Sequence, residues 1–109
     1  MNEKYQRELL LLAEGLIKRG IQFGFRDISD GGQIIVYKKT AHPYEYTNNL
    51  RRRWDAICHS YSYGHEQGLL ELMGTLVDDV KCNNLVEGWL TAKEILKRVD
   101  KEALENESI

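Results

Sequence analysis

The hydrophobic period changes at Gly20, and that change limits the chain to folds that mix helix with sheet. Before it, Tyr5, Leu9, Leu12 and Leu16 recur at helical spacing, with Leu10, Ala13 and Ile17 widening the stripe. This predicts a helix over residues 3–19. Lys18-Arg19-Gly20 reads as its stop, because two cations meet the negative end of the helix dipole and glycine then adopts positive φ freely. After Gly20 the period is two. Ile21, Phe23 and Phe25 point one way, while Gln22, Gly24 and Arg26 point the other. Ser29-Asp30-Gly31-Gly32 predicts a tight hairpin. The returning strand, 33–38, carries Ile34 and Val36 on one face and Ile35 and Tyr37 on the other, as expected inside a sheet.

Residues 40–50 read as a loop containing the only proline. Alternation of Trp54, Ala56 and Cys58 with Asp55, Ile57 and His59 predicts a third strand over 53–59. Ser60 to Gly64 then links to a second helix at 66–74, with Leu69, Leu72, Met73 and Leu76 as its buried stripe. The apolar piece 85–90 reads as extended. Thr91-Ala92-Lys93-Glu94 is a capping box opening a last helix, in which Ala92, Ile95, Leu96, Val99 and Ala103 share a side. Residues 105–109 are expected to fray. The expected architecture is a single α+β domain over 1–109. It comprises an N-terminal helix, a three-stranded antiparallel meander and two C-terminal helices packed on one sheet face. A sheet of that size has two open edges, and pairing with a twin would make a homodimer.

With 109 residues the chain has room for one core. Its 42% hydrophobic and 29% charged residues exclude a disordered chain and a fibre. No apolar run approaches the roughly 20 residues that cross a bilayer, so no membrane partner is expected. The start Met1-Asn2-Glu3-Lys4 lacks the basic and apolar regions of a signal peptide, which gives a cytosolic expectation. Cys58 and Cys82 are too few for a disulfide framework. A net charge of −2 argues against a dedicated nucleic-acid binder. That charge is unevenly spread: ten basic residues stand against seven acidic ones up to residue 60, and five against ten beyond it.

Four groups of residues invite a chemical reading. Cys58, His65 and Cys82 could give three ligands to zinc, with His42 or His59 as a fourth. No closely spaced ligand pair anchors them, and Cys58 and His59 face opposite ways on a strand. The plain reading is a buried Cys58 and a loop Cys82, without a cofactor. Cys58 with a histidine could also form a thiolate pair, but no orienting residue or oxyanion donor accompanies it, so no enzyme activity is expected. Arg51-Arg52-Arg53-Trp54, with Lys38-Lys39 beside it and Tyr44, Tyr46, Tyr61 and Tyr63 interleaved, could dock a protein surface or stack bases. Finally, Asp78, Asp79 and Glu87, with Glu71 and Asp100, could form an acidic face toward a basic partner, or merely a wet surface.

Two further stretches, Ser60-Tyr61-Ser62-Tyr63-Gly64 through Gly68-Leu69-Leu70-Glu71-Leu72-Met73-Gly74, and Gly88-Trp89-Leu90-Thr91-Ala92-Lys93-Glu94, form a pattern. Over residues 54–99 this pattern resembles small, mostly uncharacterised proteins encoded by phages and prophages of Gram-positive bacteria. The resemblance implies a setting in the bacterial host cytoplasm and no catalytic residues. Small acidic phage proteins of this kind often bind and disable a host system. The function it implies is stoichiometric inhibition of a host defence protein, with a type II CRISPR effector nuclease as the leading target. The expected contact residues are Tyr44, Tyr46, Tyr61, Tyr63 and Arg51 to Arg53, with Asp78, Asp79 and Glu87 as an alternative face.

Overall fold

The computed structural model describes residues 2–37, 52–78 and 86–107. Its described elements are α1 (Glu3–Lys18), β1 (Gly24–Ile28), β2 (Gly31–Tyr37), β3 (Arg52–Cys58), β4 (Leu70–Gly74), β5 (Val86–Leu90) and α2 (Ala92–Glu107), with a 3-10 turn at His65–Gln67. The strands make one sheet in chain order, every neighbour antiparallel. The domain is therefore α+β, but the expected three-stranded meander with two C-terminal helices is wrong. The sheet has five strands, and one helix follows it among the described residues. The error lies at 66–74, where Leu72 and Met73 of the expected helical stripe belong to a five-residue strand. Gly68 and Gly74, at φ +72 and +106, bracket it, and Leu70 and Leu72 fill the core while Met73 faces out.

The first hairpin also differs in detail. Ser29, at φ +55, and Asp30 form the turn, and Gly31 already pairs with Ile28 inside the sheet. Gly31 lies so close to the Cys58 carbonyl that any Cβ there would overlap it. The glycine serves strand contact rather than turn geometry.

Both helices cover the same sheet face. Leu9, Leu12 and Leu16 of α1 and Ile95 and Val99 of α2 join Ile34, Val36, Trp54, Ala56, Cys58, Leu70, Leu72 and Leu90 in one core. The Asn2 side chain caps α1 by accepting from the Lys4 N–H at 2.9 Å. At α2 the expected box forms: Glu94 N–H donates to Thr91 Oγ1 at 3.2 Å, and Thr91 N–H donates to Glu94 Oε1 at 3.1 Å. A second acceptor comes from the other helix. The buried Glu8 carboxylate takes the Ala92 N–H at 2.8 Å. At the far end, Arg19 grips both Asp100 oxygens at 2.7 and 2.9 Å, which raises the Arg19 pKa and lowers that of Asp100.

The other face carries a polar row across three strands. Arg26 Nε donates to Gln33 Oε1 at 2.6 Å, and Gln33 Nε2 donates to Asp55 Oδ2 at 2.7 Å. Asp55 is buried, and its second oxygen lies 3.6 Å from Arg52 Nη1.

Two irregularities shape the sheet. Between β2 and β3 the register shifts so that Val36 pairs with Trp54 but Tyr37 pairs with Arg52, leaving Arg53 as an inserted residue. Between β4 and β5, Leu70 pairs with Leu90 but Leu72 with Glu87, leaving one extra residue within Gly88-Trp89.

Candidate functional site

The second bulge builds the most conspicuous surface of the described molecule. Trp89 sits in the left-handed region at φ +58, where a bulky side chain crowds the backbone. It is 56% exposed and stacks on Tyr63, also 56% exposed, with ring centroids 5.7 Å apart and 14° between planes. Tyr61, at 84%, is the most exposed of the large apolar side chains recorded. Together with Ser62, Gly64, His65, Glu66 and Gln67 these rings line an open groove of about 220 Å³.

The groove exists because residues 59–69 are folded tightly by their own polar groups. Ser62 Oγ accepts the His59 N–H at 3.0 Å and donates back to the His59 carbonyl at 2.9 Å. Tyr61 N–H donates to His59 Nδ1 at 3.0 Å, and Ser60 N–H to Asp30 Oδ1 at 2.9 Å. That last bond holds the Asp30 carboxyl below its ordinary pKa. Tyr63 N–H donates to Glu71 Oε1 at 3.1 Å, which accounts for a buried glutamate on β4. Two glycines then let the turn and β5 touch. Gly64, at φ +92, would place a Cβ 2.9 Å from the Trp89 nitrogen, and a Cβ on Gly88 would collide with Tyr63 Cβ. A long bond from Trp89 N–H to the Tyr63 carbonyl, at 3.5 Å, closes the contact.

Behind the groove, the Tyr5 hydroxyl lies 3.5 Å from His65 Nδ1, the rings meeting edge-on. Burial, then the charge of Asp30, raises the Tyr5 pKa. Cys58 is completely buried, and burial pushes its thiol up to about 11. A thiol in that state is no nucleophile near neutral pH. Among the described residues no three His, Cys, Asp or Glu side chains gather as metal ligands. Cys82 lies outside the described residues, so the proposed Cys58, His65 and Cys82 set is represented by two members.

The other expected contact residues separate. Tyr61 and Tyr63 are together on the groove. Tyr44, Tyr46, Arg51, Asp79 and Lys38-Lys39 lie outside the described residues. Arg53 is bound to Glu102 of α2, and Arg52 faces Asp55. Glu87 forms a two-toothed pair with Arg98 at 2.7 and 2.8 Å and accepts the Asp78 N–H at 3.1 Å, so it ties β5 to α2. Asp100 is held by Arg19. Glu71, Glu87 and Asp100 thus each take part in a separate structural bond. Trp89 is the groove residue that sequence reasoning did not single out. The signal for it was an aromatic directly after a glycine in a short strand, a pattern that also fits a core position.

No protein-family model, curated protein or solved structure matches this chain.

Among the described residues, no helix is long and apolar enough to cross a membrane.

Proposed function

We propose that this protein acts by binding a partner rather than by turning over a substrate, with Tyr61, Tyr63 and Trp89 as its contact ridge. One observation carries the reading: a tryptophan held in a strained backbone conformation and more than half exposed. Strain of this kind costs on the order of 1–3 kcal/mol, and it is usually kept where a site needs a fixed shape. Tyrosine and tryptophan are also the side chains that most often anchor protein interfaces. The Tyr63 stack fixes the indole before any partner arrives, so little ordering entropy remains to be lost on binding.

The kind of partner follows from the resemblance of residues 54–99 to phage proteins. On that basis the chain is a phage or prophage accessory protein that occludes a host defence protein, and a type II CRISPR effector nuclease is the first target to test. A nucleic-acid partner is less well supported, because Arg52 and Arg53 already face carboxylates.

The test mixes the purified chain with purified type II effectors and follows complex formation by calorimetry and DNA cleavage. A one-to-one complex that blocks cleavage is expected, weakened by Tyr61→Ala and by Trp89→Ala. No complex with any effector, and no protection of phage in a plaque assay, would remove this target class.

A further inference from the structure

We infer that the outer face of α1 is an interface for a second copy of this chain, with the two helices antiparallel about a two-fold axis centred between Leu10 and Leu11. This contact is separate from the aromatic ridge. Leu10 and Ile17, which helical spacing adds to the buried stripe, lie in solvent instead, 58% and 68% exposed, and Leu11 joins them at 49%. The inward positions of α1 are filled by others. Leu9, Leu12 and Leu16 enter the core, and Gly15 meets Leu96 of α2. Exposed apolar side chains mean little when scattered, but here three share the outward side of one helix within about two turns.

The charges around them choose the partner. Along this exposed face the order is Glu3, Arg7, Leu10, Leu11, Glu14, Lys18. Turned end for end, acid falls on base at every charged position and leucine on leucine. In the antiparallel pair Arg7 stands level with Glu14 of the partner subunit, and Glu3 with Lys18 of the partner subunit. A two-fold contact makes each pair twice, around a centre of four leucines. The exposed Lys4 comes level with Ile17 of the partner subunit, which its aliphatic stem can cover. A parallel pair would instead set each charge against its own kind.

These groups are accessible. Glu14 and Lys18 pair with each other at 3.1 Å, yet both side chains stay more than half exposed. Arg7 donates through Nη2 to the Gln67 carbonyl and holds Nε 3.5 Å from Glu8, and it too is more than half exposed. Its other Nη still carries two N–H donors for a carboxylate. Because His65 and Gln67 sit against the first half of α1, antiparallel pairing puts the two Trp89 ridges at opposite ends, clear of the contact.

The experiment follows the full chain by sedimentation velocity from about 10 µM to about 1 mM, since one helix pair is a small interface and a dissociation constant of about 0.1 mM is expected. Arg7→Glu sets acid against acid and Glu14→Arg sets base against base, so each variant alone should dimerise at least about tenfold more weakly. An equal mixture of the two restores opposite charge at both positions and should associate about as tightly as the parent, a recovery that misfolded variants cannot give. Leu10→Gln should weaken the dimer about fivefold and leave the thermal midpoint unchanged. A chain that stays monomeric over the whole range overturns the inference. So does a mixture no tighter than the single variants, or a dimer that none of these changes weakens, as pairing through an open sheet edge would be.

Discussion

Trp54 and Trp89 both sit at bulges of one sheet, each beside a glycine that makes room, yet one ring is 2% exposed and the other 56%. At Trp54 the inserted Arg53 lies next to Gly74, where a Cβ would overlap the Arg53 carbonyl. Arg53 turns to Glu102, and the indole fills the centre of the core. At Trp89 the strained residue is itself the exposed one, and its ring meets only Tyr63 among the aromatic contacts recorded. A bulge re-aims a side chain in both places. Packing compensates for the irregularity at Trp54. At Trp89 one exposed stack does so only in part.

Substitutions can break that contrast. Trp54→Ala should cost about 3–5 kcal/mol through lost burial and the cavity left behind, measured by urea unfolding. Gly88→Ala should cost about 1–3 kcal/mol, since Tyr63 has to move. The Trp89 resonances should shift with it, because the stack opens. Glu8→Ala should cost a similar 1–3 kcal/mol by stranding the Ala92 N–H. Trp89→Gly should leave stability within about 1 kcal/mol of the parent, because relief of the positive φ offsets the lost stack, while binding is abolished. A loss as large as that of Trp54→Ala would mean Trp89 is a structural residue after all.

Cys58 gives the pH counterpart on the core side. Its pKa is raised in the folded state, so its contribution is complete below the ordinary thiol value of 9.0 and is lost as pH rises toward about 11. In a Cys82→Ser background, thiol reagents should label Cys58 only as fast as the protein unfolds, and stability should fall across that alkaline window.

Local signals were legible where one physical rule acted alone. The first helix, its stop, the β1–β2 hairpin and the Thr91 box all follow from periodicity and capping chemistry. β4 failed because a short apolar run fits both periods, and its bracketing glycines were the better guide. Once β4 read as a helix, the extended 85–90 piece had no strand to join, and two of the five strands vanished from the expected sheet. The ridge was half legible. Tyr61 and Tyr63 stood out as aromatics in a polar turn. Their neighbour Trp89 depends on a pairing across about 25 residues that no local pattern encodes. The ion pairs of Arg53, Glu87 and Asp100 were invisible for the same reason, so their charges looked available when they are committed.

The bond from Glu8 to Ala92 joins the earliest helix to the start of the last one. On the ribosome each strand can meet its neighbour soon after it emerges, but the carboxylate of Glu8 must wait for more than eighty further residues before its donor appears. The chain should therefore stay open to proteases until the Ala92 segment has emerged, and close only after that.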